Sequence, residues 1–425
     1  MQSGISKSGL RWCVDERPES LTATIGVWVR AGSRNDPRGA EGLAHLVEHG
    51  IFHSPSCEAL GPEHDLVDAW TGIDEVAYVA TVEGDDAGLA THELLNLVFQ
   101  PTWDDDALEQ ECSILEAEMR SPARSPIATV AASALSSLHP GQPFARNMFR
   151  RAPMSWPLNS WMARSFHRSF YAPDQAVLVA TGAITADQVA DAASRVEHES
   201  HGALQAPPSL PRVRALPVAH REAIEQADND SVFVAVGVRS PSRRDPRQTA
   251  AVLSAQILGG GPAARLQRDL RGARKLVYDM GAFCLSYNDG GALVAYAATT
   301  AEHVDTVVGA LHHHVDALHD GSFDDEELEL AVRRVRSAAA QAEESSLARI
   351  RRLGVSMLHL ESVETPADMQ RRVSRVSRNS IKAALADADQ RTVVVCSGSQ
   401  SRGSGSSNDH RSVGANGAGL VAARG

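Results

Sequence analysis

Residues 27–38 read Val-Trp-Val-Arg-Ala-Gly-Ser-Arg-Asn-Asp-Pro-Arg, and residues 236–247 read Val-Gly-Val-Arg-Ser-Pro-Ser-Arg-Arg-Asp-Pro-Arg. Most positions are identical at a constant offset of 209 (236 − 27). Each block begins as an apolar strand, breaks at an Asp-Pro turn and runs into a helix-favouring stretch. A second echo sets Val177-Leu-Val-Ala-Thr-Gly182 against Val393-Val-Val-Cys-Ser-Gly398, at an offset of 216 (393 − 177). Both read as buried strands that end at a turn. The chain is therefore one unit written twice, and any fold open to the first half must also suit the second. We place one domain at 1–200 and its homologue at 217–398. Between them, 201–216 is rich in proline and small residues and reads as a linker. The Gly- and Ser-rich segment 399–425 has too little apolar area to order itself and is expected to be a disordered tail.

The two copies diverge at Gly42-Leu-Ala-His-Leu-Val-Glu-His-Gly50. On a helix, His45 and His49 share one face and Glu48 lies close beside them. Two neutral imidazoles and a carboxylate able to take a proton are the parts of a hydrolytic zinc site, here in His-x-x-Glu-His order. The bland reading is a surface helix that happens to be polar, in a chain with 17 histidines. Against it, an offset of 209 turns the three positions into Ser254, Ile257 and Leu258. Burying unpaired polar groups is costly, so something must satisfy the triad, and a metal would. Catalytic zinc normally has three protein ligands plus water, so another carboxylate should lie elsewhere. The segment from Leu108 to Met119 is the best candidate, helix-favouring and preceded by a start signal at Pro101 and Asp104–Asp106. In it Glu111 and Glu118 are seven apart, two turns, and share a face.

Composition narrows the alternatives. A chain of 425 residues that is 43% hydrophobic and 22% charged is ordinary for a globular protein. No stretch approaches the ~20 apolar residues of a membrane span, and the N-terminus lacks an apolar signal core. Five scattered cysteines without a Cys-x-x-Cys pair favour a reducing compartment, and we expect the cytoplasm. The net charge of −12 disfavours nucleic acid as a partner.

Gly42 to Phe52 resembles the zinc helix of the pitrilysin family, which includes insulin-degrading enzyme and the mitochondrial processing peptidase. Glu111-x-x-Ile-x-x-x-Glu118 is similar to that family's second motif. The resemblance implies one Zn2+ per chain held by His45, His49 and Glu118, with Glu48 as general base and Glu111 supporting a ligand. Asp68, Ala69, Trp70 and Thr71 resemble the strand that pairs with bound peptide. Leu270-Arg-Gly-Ala-Arg-Lys-Leu-Val-Tyr278 looks like the carboxyl-terminal motif, whose Arg271 would grip substrate carbonyls and whose Tyr278 would donate to the oxyanion. It implies an α+β fold of two homologous domains, each a mostly antiparallel sheet with helices on one face, together half of a peptidase clamshell. Half-length members pair into a closed chamber, so a homodimer is expected, with a heterodimer with a related subunit as the runner-up.

Two departures stand out. His49 to Glu118 spans 69 residues (118 − 49), shorter than in the family, which leaves Glu116 and Glu111 as fallback ligands. Asp68 stands where asparagine is usual, an extra negative charge that would favour basic substrate side chains. His312-His-His314 reads as a helix segment whose adjacent side chains diverge rather than as a metal tract. Gly259–Gly261 is a turn, and His53, His64, His92, Cys57 and Cys112 are read as inert. The function expected is zinc-dependent hydrolysis of peptides or unfolded segments. The alternatives are a catalytically silent peptide-binding partner of a related peptidase, and a zinc-binding module without turnover.

Overall fold

A computed structural model describes residues 1–52, 67–120, 125–146, 158–196, 219–224 and 231–398. The expected linker at 201–216, the tail at 399–425, and His53, Cys57 and His64 lie outside the described residues.

The first unit is built on a six-stranded sheet of β1 (Gln2–Ile5), β2 (Arg11–Glu16), β3 (Thr22–Val29), β4 (Val67–Thr71), β5 (Val76–Glu83) and β6 (Ala176–Gly182). Its order is β1-β2-β6-β3-β5-β4, antiparallel except for the β2–β6 pair. Helices α1 (Leu43–Phe52), α2 (Ala87–Phe99), α3 (Asp105–Arg120), α5 (Ser160–Phe170) and α6 (Ala186–Arg195) belong to this unit; α4 (Pro126–Leu138) does not. The second unit holds β7 (Ala219–Ile224), β8 (Ser231–Ser240), β9 (Asp279–Ser286), β10 (Gly291–Thr300) and β11 (Arg391–Gly398). They run in the order β7-β11-β8-β10-β9, again with one parallel pair, β7–β11. Here α7 (Gln248–Gly259) packs on β9 and β10, and α8 (Val304–Asp320) on β8 and β10. The helices α9 (Asp325–Ala342), α10 (Ser346–Val355), α11 (Pro366–Ser374) and α12 (Arg378–Ala384) follow. Omitting β1, the two sheets have the same strand order, so the fold is α+β and duplicated.

Strand register refines the repeat. Trp12 and Val27 both face Leu178, while Arg221 and Val236 both face Val393. With 12 and 27 matched to 221 and 236 at an offset of 209, Leu178 matches Val393 at 215 (393 − 178), not the 216 expected. The difference decides which way each side chain points, because a one-residue slip exchanges the two faces. Leu178 packs in the helix-covered core with Val27, and Val393 packs against the corresponding core with Val236. Val177 instead faces the other way, beside Trp28 and Val179.

That other face explains why β3 and β6 are apolar almost throughout: strands covered on both sides lose the polar alternation. In the first unit, Cys13, Trp28, Ala77, Val79, Val177 and Val179 are covered by Ile350, Leu353, Met357 and Leu358. These come from α10 and the π-helical turn Ser356–Leu360, far along in the second half of the sequence. Gly354 permits the contact, since a Cβ there would lie 2.3 Å from the Trp28 ring. The segment is pinned by Arg11, whose Nη1 donates to the Met357 carbonyl at 2.8 Å, and by the buried His359–Glu75 pair at 2.9 Å. In the second unit the corresponding face of β8, β10 and β11 is covered by α4, which lies in the first half of the sequence. Its end is held where Arg239 Nε donates to the Leu138 carbonyl and His139 Nε2 to the Gly291 carbonyl, both at 2.8 Å. The compact units are thus interleaved: Met1–Arg120, Arg151–Arg212 and Gln341–Glu364 form one, and Ser121–Arg150, Val213–Ala340 and Thr365–Gly425 the other. Each sheet carries its own helical layer on one face and a single helix from the other sequence half on the second.

Candidate metal centre

Leu43, Leu46, Val47, Gly50 and Ile51 recur at helical spacing and are buried, which fixes the rotation of α1 and presents His45 and His49 together. The Asp-Pro of the repeated block has a structural role as well. Asp36 accepts from the backbone N–H of Gly42 at 2.7 Å and of Ala44 at 2.8 Å, capping α1. Asp104 caps α3, accepting from the N–H of Asp106 and of Ala107 at 3.0 and 3.1 Å. Gly50 lets the two helices close, because a Cβ there would stand 2.5 Å from Leu108.

The result brings five of the expected side chains to one place: His45, Glu48, His49, Glu111 and Glu118. His45 Nε2 and His49 Nε2 are 3.2 Å apart, and His49 Nδ1 lies 2.7 Å from Glu111 Oε2. Among the described residues, only His45, His49 and Glu118 form a group of three potential metal donors, their atoms within 4.8 Å of one another. The donor chemistry fits zinc. Two nitrogens bound to one tetrahedral ion at 2.0–2.1 Å stand about 3.3 Å apart. Glu111 accepts from Nδ1, which leaves Nε2 of His49 unprotonated as it faces His45. Burial, with a smaller contribution from His49, lowers the His45 pKa to about 4, so that its imidazole is neutral as a ligand must be. Glu118 is exposed and Glu111 is buried; the side chain of Glu116 is outside the description.

Glu48 is buried beside the pair, and Thr71 Oγ1 donates to its Oε2 at 2.5 Å. Burial moves the Glu48 pKa up to about 7, opposed by the Thr71 bond and His49 and reinforced by Asp68 and Glu118. A carboxylate whose proton affinity lies near neutrality suits proton transfer. The Thr71–Glu48 bond does not follow from the motifs. Its signal is the alternation of β4, which places Ala69 and Thr71 on the α1 face and Asp68 and Trp70 on the other.

Arg271 lies on a π-helical turn, Gln267–Ala273, and Tyr278 precedes β9; both are exposed, and both belong to the second unit. In the matching helix of that unit, Ser254, Ile257 and Leu258 are buried in the core. The histidine tract diverges as expected: His312 meets Arg391, and His314 Nε2 lies 2.9 Å from Asp269. The Sγ of Cys112 lies 3.5 Å from the Leu158 carbonyl.

Because Glu111 orients His49, replacing it by glutamine is expected to weaken zinc binding by about 10- to 100-fold without loss of fold. Competition with a chromophoric chelator measures this; an unchanged affinity would remove Glu111 from the site.

The sequence matches the family described as insulinase (peptidase family M16) over residues 12–138, and that described as peptidase M16 inactive domain over 161–335. An uncharacterized zinc protease of Mycobacterium tuberculosis is 26% identical over 387 residues, covering 88% of this chain and 87% of the relative. A solved protease from Helicobacter pylori superposes with a TM-score of 0.79 at 16% identity, covering 93% of this chain and 98% of that one. A chain of complex III2 from Candida albicans does so with a TM-score of 0.78 at 14% identity, covering 93% and 95%. At these identities the solved structures speak for the fold alone.

Proposed function

Since the chain belongs to the insulinase (M16) family of peptidases, we propose that it is a zinc-dependent endopeptidase acting on peptides or unfolded segments. The observation that carries this reading is the convergence of His45, His49 and Glu118 within 4.8 Å, with Glu48 buried alongside. These three residues would hold one zinc per chain. Zinc, when bound, supplies Lewis acidity toward water and a scissile carbonyl. Glu48 then acts through a carboxylate oxygen, taking a proton from water and returning it to the leaving amine. Thr71 holds that carboxylate in place. The peptide lies extended beside β4, so that main-chain hydrogen bonds govern binding.

The resemblance supplies the rest of the reading. Two chains pair as a homodimer around a closed chamber, Arg271 gripping substrate carbonyls and Tyr278 donating to the oxyanion; pairing with a related subunit is the variant form. Five scattered cysteines without a Cys-x-x-Cys pair suit a reducing compartment, and the cytoplasm is the location proposed. No helix among the described residues is long and apolar enough to cross a membrane.

The test is cleavage of a quenched-fluorescence peptide library, with metal content measured on the same sample. Cleavage should vanish on chelation and return with stoichiometric zinc. A second reading, a silent peptide-binding partner subunit, draws on the match to a domain described as inactive. A chain that keeps zinc and peptide but cuts nothing would favour it.

A further inference from the structure

In the first unit β4 pairs only with β5 and ends its sheet, so its outer edge has no strand partner among the described residues. An extended peptide added there would alternate its side chains between the α1 face, with Glu48 and the histidines, and the opposite face. On that opposite face Trp70 meets Trp28 edge-on at 5.7 Å, and the guanidinium of Arg351 lies over the Trp70 ring at 4.4 Å. Arg351 comes from α10, the helix supplied by the second half of the sequence.

This arginine differs from its neighbours. Arg349 donates to the Glu343 carbonyl, and Arg352 pairs with the Glu343 carboxylate at 2.8 Å. The Arg11 side chain is likewise committed, to the Met357 carbonyl. Arg351 is exposed, and it has the face of its guanidinium on Trp70 but no hydrogen bond or ion pair from its edge among the described residues. Glu75, one nearby acid, is paired with His359. Asp68, the other, is exposed and stands one pleat along β4, where its charge acts on Arg351 without closing an ion pair. A guanidinium fixed by stacking, with a donor edge that meets no partner among the described residues, matches a carboxylate in a two-point contact.

We propose that Asp68, Trp70 and Arg351 line a substrate subsite on this face of β4, in which Arg351 receives an acidic side chain of an extended peptide. The inference rests on the reading that peptide lies beside β4. It also revises the expectation from Asp68 alone: the extra negative charge shares its face with a stacked cation, so a basic preference does not follow.

The test measures binding to the zinc-loaded Glu48→Gln chain by fluorescence anisotropy. The probes are otherwise neutral extended peptides in which a single Glu, or its Gln counterpart, is moved position by position. Glu should bind about tenfold tighter than Gln at one position and at neither neighbour, whose side chains point to the opposite face. Arg351→Gln should erase that ratio, Arg351→Glu should shift it toward Lys, and Arg351→Lys, which keeps charge but loses the stack, should retain only part of it. A Glu/Gln ratio unchanged in Arg351→Gln, no positional preference, or no peptide binding would overturn the subsite. If the preference holds while the wild-type chain cuts no peptide, the subsite stands and the hydrolytic reading falls.

Discussion

Replacing Glu48 by glutamine should lower kcat by about 10²- to 10⁴-fold while zinc content stays that of the wild type. The side chains are isosteric, and Thr71 Oγ1 can still donate to the amide oxygen as it does to the carboxylate at 2.5 Å, so geometry is preserved and only the proton acceptor is lost. The pH profile provides a second readout. Glu48 must be ionised to act, so wild-type kcat/KM rises with pH through its titration. Burial draws that titration up toward about 7, and a neighbouring divalent cation draws it back down. The acid limb should therefore fall below 7 with zinc in place and be absent from the variant. Mixing Glu48→Gln chains with Arg271→Ala chains adds a test of pairing: activity recovers only if Arg271 serves the other chain's site. Equal rates for wild type and Glu48→Gln would end the proposed role of this residue.

The second large effect concerns residues 1–200 expressed alone. This piece contains every described residue of the metal centre, yet we expect it to be insoluble or to lack fixed tertiary packing. It lacks the α10 segment, so Trp28, Ala77, Val79, Val177 and Val179 would face water where Ile350, Leu353, Met357 and Leu358 belong. Four such side chains account for roughly 6–12 kcal/mol of burial at 1.5–3 each. A whole domain is stable by only about 5–15 kcal/mol. The same piece also exposes α4, whose sheet is absent. Near-UV circular dichroism and thermal unfolding decide the matter. A graft of 341–364 through a flexible linker, with 121–150 removed, should restore cooperative unfolding; a cooperative transition in 1–200 by itself would refute the dependence.

What is legible in the sequence is mostly local. The duplication, the rotation of α1 and the start of α3 each follow from spacing and capping within a few residues. Glu118 and Glu111 are identified by resemblance, since their approach to His45 and His49 is a tertiary contact that no local pattern encodes. The register of β11 differs by one residue from the sequence alignment because Val393-Val-Val395 is uniform and offers no alternation to align. The exchange of α4 and α10 is invisible for a related reason. Both are short helices rich in small or mixed residues, and nothing in their sequence says which sheet they cover. The near-continuous apolarity of β3 and β6 is the one available hint that both faces of the first sheet are occupied. Thr71 reads from sequence as part of a peptide-pairing strand, and its bond to Glu48 requires knowing that β4 lies beside α1.

The interleaving also sets an order of events during synthesis. The last strand of the first sheet ends at Gly182, but the segment covering its second face ends at Glu364. At ~5–20 residues per second the ribosome needs on the order of ten seconds or more to close that gap. Throughout that interval the nascent sheet presents an uncovered indole and a row of valines to the cell. Holding chaperones, rather than domain-by-domain folding, should therefore govern how much of this protein reaches its native state.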